Sequence, residues 1–131
     1  MEKDLQKLAR NLYKEMFGEE LKIPVIFNTG FSRTLGRAYY RLVGNRYTPT
    51  RLEIASNLTD NFEHLMFTLK HELIHIYLYD KFADDTHGKR FQNYATKFGA
   101  YTINPYTGRK SFTVLYASTL PKEGVFHVCK A

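Results

Sequence analysis

The sequence predicts an α+β fold: an N-terminal helix, a small sheet of about three strands, a long central helix and a shorter helix after it. Three observations predict it. Apolar residues recur at helical spacing between Asp4 and Phe17. Short apolar or alternating runs broken by glycine and asparagine occupy Ile23 to Ala55. From Phe62 to about Phe82 the helical pattern is apolar on almost every side.

In the first helix, Leu5, Leu8, Leu12, Tyr13 and Met16 make one face, and Gly18 is the stop signal. Ile23-Pro24-Val25-Ile26-Phe27 reads as a strand with its proline near the start, where a missing amide proton is tolerated. Gly36 to Val43 reads as a second strand closed by Gly44-Asn45, and Arg51 to Ala55 alternates charged and apolar residues as a half-exposed third strand would. Ser56 to Asp60 is a turn with helix-capping candidates, Asp60 being followed three residues later by Glu63. The long helix that follows carries Leu65, Met66, Phe67, Leu69, Leu73, Ile74, Ile76, Tyr77 and Leu78, which marks it as central and buried. A second short helix fits Lys89 to Phe98, between Gly88 and Gly99. The remainder reads as loops with one or two strands, Phe112 to Ala117 being the clearest.

The 131 residues suit one domain spanning 1–131, and the 44% hydrophobic content, with ten Tyr and ten Phe, can fill its core without covalent staples. The charged N-terminus has no apolar run behind it, and no stretch approaches the roughly 20 residues of a membrane-spanning helix, so no membrane partner is expected. Cys129 is the single cysteine, which excludes an intramolecular disulfide; a cytoplasmic protein is the simplest reading.

The net charge of +6 is unevenly spread. Thr29 to Leu52 holds no acid but contains Arg33, Arg37, Arg41, Arg46 and Arg51, and Thr86 to Lys122 holds none against Lys89, Arg90, Lys97, Arg109, Lys110 and Lys122. Such segregation suits nucleic acid or another polyanion, or else solvates exposed strands and loops.

The chemistry concentrates in Lys70-His71-Glu72-Leu73-Ile74-His75-Ile76. Histidines four apart on a helix lie on one face and can grip one metal ion, while the glutamate beside the first stands next to the ion and can take a proton from its bound water. This His-Glu-x-x-His pattern points to zinc-dependent hydrolysis of peptide bonds, with His71 and His75 as ligands and Glu72 as general base. Burying three titratable groups in so apolar a helix without a metal would be costly.

A catalytic zinc needs a third protein ligand. His87, in Asp84-Asp85-Thr86-His87-Gly88-Lys89, lies after the long helix, where a reversal of direction would return it to the metal. Asp80, Asp84, Asp85 and Glu123 are weaker alternatives. His64 falls about two turns before His71, too far to share the ion, and His127 has no evident partner.

The motif helix, the acidic turn and His87-Gly88-Lys89-Arg90-Phe91 together resemble the SprT-like family of zinc metallopeptidases, which includes the Spartan proteases. Gly36-Arg37-Ala38-Tyr39 is similar to that family's glycine-containing strand, and the resemblance covers roughly residues 1–99. It implies a zincin-like arrangement, zinc on His71, His75 and His87, and catalysis by Glu72. The family's association with proteolysis of DNA-bound or DNA-crosslinked proteins would give the basic stretches a purpose. It also implies an edge strand for an extended protein or peptide substrate, and Arg51 to Ala55 is the candidate. Many members continue into a four-cysteine zinc ribbon. Here residues 126–131, ending Val128-Cys129-Lys130-Ala131, are either the truncated opening of such a ribbon or an isolated cysteine.

Two other functions compete. One is a regulatory metallopeptidase that cleaves a repressor, although such proteins often take an acidic third ligand. The other is a nucleic-acid-binding module with a structural metal and no catalysis, in which Glu72 would have no use.

Overall fold

The computed structural model describes residues 2–31, 34–84, 86–112 and 126–128. It is α+β, as the sequence predicts. Helix α1 (Glu2–Phe17) leads into strands β1 (Val25–Asn28), β2 (Thr34–Val43) and β3 (Arg46–Ala55), and a 3-10 turn (Ser56–Asp60) hands the chain to the long helix α2 (Phe62–Phe82). Helix α3 (Lys89–Phe98), a short pair β4 (Thr102–Ile103) and β5 (Lys110–Ser111), and strand β6 (Phe126–Val128) follow.

The main sheet has the order β1-β3-β2-β6. Strands β2 and β3 form an antiparallel hairpin around Gly44-Asn45, with a bulge between Tyr39 and Tyr40, and β1 runs parallel to β3. Three strands are those expected; β6, pairing parallel to β2, is a fourth. The expected strand at Phe112 to Ala117 lies outside the described residues except for Phe112, which follows β5 and belongs to no strand. Cys129, with the residues after it, also lies outside them.

One expectation is overturned. Arg51 to Ala55 is not a sheet edge but the second half of an interior strand, paired to β1 through Leu52–Ala55 on one side and to β2 on the other. Its alternation arises because Leu52 and Ile54 point into the core, both at 0% exposure, while Arg51 and Glu53 point to the opposite side of the sheet. There the Glu53 carboxylate accepts from Asn28 Nδ2 (2.7 Å), the Tyr39 hydroxyl (2.9 Å) and Arg51 Nε (2.7 Å). Burial pushes the Glu53 carboxyl up, but these hydrogen bonds outweigh it and hold it below its usual range.

The core is one continuous cluster. Leu5, Ala9, Leu12, Tyr13 and Met16 of α1 meet Val25, Ala38, Leu52 and Ile54 of the sheet, Leu69, Leu73, Ile74 and Leu78 of α2, and Phe91 and Ala95 of α3. Helix α2 is covered on most sides, with Thr68, Leu69 and every residue from His71 to Ile76 buried. Each fully buried Leu or Ile there contributes about 1.5–3 kcal/mol, so the helix is fixed by packing rather than by propensity. Its N-cap is Asn61, whose side chain accepts from the His64 amide, rather than the expected Asp60. Asp60 is spent closing the preceding 3-10 turn.

Candidate metal centre

His71, Glu72 and His75 sit at mid-length of α2 at 0%, 0% and 1% exposure. The third imidazole arrives by a turn the sequence only partly declares. Helix α2 ends on Ala83 in the left-handed conformation (φ 54°), with Ala83 N donating to Tyr79 O (2.9 Å) and Asp84 N to Leu78 O (3.3 Å). The chain reverses there and Asp84 pins the loop: its Oδ1 accepts from the Thr86 amide (2.9 Å) and hydroxyl (2.7 Å), and its Oδ2 accepts from Arg90 (3.3 Å). Thr86 Oγ1 in turn accepts from Gly88 N (3.2 Å), and a Cβ on Gly88 would meet that oxygen at 3.2 Å. Gln92 Nε2 donates to the His87 carbonyl (3.0 Å). His87 is thereby held over α2.

The three Nε2 atoms converge. His71 and His75 are 3.2 Å apart, His75 and His87 2.9 Å, and His87 and His71 3.2 Å. Each neutral imidazole nitrogen carries either one proton or one lone pair. In a closed triangle of three such atoms at least one side must set two protons or two lone pairs against each other, whereas a cation bound by all three lone pairs would relieve the conflict. These residues could hold a metal ion.

Phe91, fully buried, is the floor beneath them. Its ring centroid lies 4.8 Å from that of His71, 4.5 Å from His75 and 4.9 Å from His87. Phe67, one turn before His71, stacks on it at 6.3 Å. Burial lowers His87 from its ordinary range, favouring the neutral form that a metal needs.

Glu72 packs against the sheet, where a Cβ on Gly36 would meet its Cγ at 3.1 Å. Neither of its carboxylate oxygens has a hydrogen-bond partner among the described residues, and burial pushes its carboxyl well above the usual carboxylate range. A buried carboxyl left without a protein partner is the condition of a group kept for chemistry.

The other sequence candidates stand apart. Asp84 is engaged by Thr86 and Arg90, and Asp80 lies on the exposed side of α2 with Lys81 at 3.9 Å. His64 is outside the cluster, and Asp85 and Glu123 lie outside the described residues. Of three supporting residues, Gly36 and Phe91 entered the sequence reading of the site only through the family resemblance, and Thr68 was missed. Phe91 was visible as an aromatic after His87, but nothing in its spacing announced contact with three imidazoles.

Fold and site together define an α+β protein that could hold a metal ion on three histidines, an arrangement consistent with a metallopeptidase. Residues 4–111 match the SprT-like family, and the chain belongs to that family. No curated protein and no solved structure matches the chain. Among the described residues no helix is long and apolar enough to cross a membrane.

Proposed function

We propose that this chain is a zinc-dependent endopeptidase of the cytoplasm, with zinc held by His71, His75 and His87 and Glu72 as general base. The observation that carries the reading is the triangle of Nε2 atoms together with the buried carboxyl of Glu72, next in the chain to His71, which has no partner among the described residues. Three nitrogens bound tetrahedrally at zinc–nitrogen lengths stand about 3.3 to 3.4 Å apart, close to the 2.9–3.2 Å seen. Three imidazole donors suit a catalytic rather than a structural site.

Bound zinc would lower the pKa of a water molecule toward neutrality and polarise a substrate carbonyl. The chain's own residues do the rest. Glu72 accepts the proton of the attacking water and delivers it to the leaving amine. Phe91 and Phe67 keep the imidazoles in place. The proposed substrate is a protein or extended peptide, with DNA-associated proteins favoured by the +6 charge and the two acid-free basic stretches.

The test is metal content together with turnover. The purified chain should bind one zinc and cleave an unfolded protein, faster in the presence of DNA, and Glu72→Gln should abolish cleavage while retaining zinc. Stoichiometric zinc with no cleavage in any condition would leave a structural metal site in a nucleic-acid-binding module. A rate indifferent to DNA would remove the DNA-associated substrate.

A further inference from the structure

Thr68 and Glu72 are four residues apart on α2, one turn from each other on the same face. Both are inside the protein, at 1% and 0% exposure. Thr68 Oγ1, like the two Glu72 oxygens, has no hydrogen-bond partner among the described residues. A helical threonine usually turns its hydroxyl back to a carbonyl of the preceding turn, and this one does not. The same point on β2 abuts both side chains: a Cβ on Gly36 would stand 3.1 Å from Thr68 Cγ2 and 3.1 Å from Glu72 Cγ, with Ile54 Cδ1 at 3.4 Å. A buried hydroxyl and a buried carboxyl, each without a partner among the described residues, thus belong to two side chains one helical turn apart that pack their carbons against the same point of β2.

We propose that Thr68 is a positioning residue for Glu72, its hydroxyl linked to the carboxyl group through one ordered water. This rests on the reading of Glu72 as general base. The water bridge holds one carboxyl oxygen and leaves the other for proton transfer. A hydroxyl suits the place because it both donates and accepts, so it stays partnered whether or not Glu72 carries the proton. Gly36 completes the arrangement, since any side chain there would press on both members of the pair.

Two variants separate the hydroxyl from the packing: Thr68→Val keeps the shape and removes the oxygen, and Thr68→Ser keeps the oxygen. In the zinc-loaded chain, Thr68→Val should lower kcat by about tenfold to a hundredfold, the range for partners that orient a site's residues, with KM and zinc content unchanged. Thr68→Ser should stay within about threefold of the parent, since it retains the bonding group. An unchanged kcat in Thr68→Val, or equal damage in both variants, would overturn the proposal. A second measurement needs neither zinc nor turnover. In the metal-free chain, Thr68→Val should lower Tm when Glu72 is present, because the carboxyl loses its partner. In a Glu72→Leu background it should raise Tm, because a useless buried hydroxyl is removed. The same shift in both backgrounds would overturn the pairing. Should the parent cleave nothing, the peptidase reading fails, and this Tm comparison still decides the Thr68–Glu72 link.

Discussion

Gly36 of β2 lies so close to Glu72 of α2 that a single added carbon would come within 3.1 Å of the glutamate's Cγ. The strand therefore forms the wall against which the glutamate's side-chain stem packs. Gly36→Ala should disturb that carboxyl while leaving the three histidines in place. Its expected signature is a full complement of zinc, reduced kcat, and a loss of stability of about 1–3 kcal/mol, the usual cost of overfilling a packed core. Native turnover and native Tm in Gly36→Ala would show that the wall gives way without consequence.

The buried Glu72 also makes the metal-free chain sensitive to pH, with a definite sign. Its folded carboxyl is pushed well above the ordinary 4.5, so the folded chain keeps a proton that the unfolded chain gives up. Its contribution to stability therefore falls as pH rises above that ordinary value. Glu72→Gln removes the effect. Thermal unfolding without metal should show the variant more stable than the parent at about pH 7, with the difference shrinking toward about pH 4. A difference that does not change with pH would contradict the burial of this group.

His87 works in the opposite direction. Burial lowers it below the ordinary 6.5, so acid favours the unfolded chain, where it is freely protonated, and also competes with metal. Zinc affinity, measured by competition with a chromophoric chelator, should fall as pH drops below that value. His87→Ala should weaken zinc by more than the ten- to hundredfold typical of a mere outer partner. Zinc at 100 times its Kd should stabilise the parent by about 2.7 kcal/mol, and chelation should reverse the gain. Unchanged zinc affinity in His87→Ala would remove it from the ligand set.

Phe91 touches all three imidazoles from a fully buried position. Phe91→Ala should cost about 3–5 kcal/mol in urea unfolding of the metal-free chain, from lost transfer energy and the cavity left behind. It should also weaken zinc binding, because the rings lose the surface that orients them. A loss of stability without any change in zinc affinity would assign Phe91 to the core alone.

The sequence by itself determined the elements and the motif. The apolar periodicity of α1 and α2, the glycines around α3 and the His71-Glu72-x-x-His75 spacing are local patterns, and local patterns survive without knowledge of the fold. His87 was legible as a candidate, but Asp80 and Asp84 competed with it, because distance along the chain does not say which side chain turns back. The reversal at Ala83 and the bonds of Asp84 made that choice, and a left-handed alanine carries no sequence signal comparable to glycine. The alternation in Arg51 to Ala55 separated Leu52 and Ile54 from Arg51 and Glu53 but gave neither the burial of Glu53 and Ala55 nor the strand's place in the sheet, since alternation reports two faces and is silent about two edges. Only the tertiary structure could bring Gly36 and Phe91 to the site. Their roles are contacts across elements distant in sequence, fixed by how α2 packs on β2 and α3, and no spacing rule encodes them.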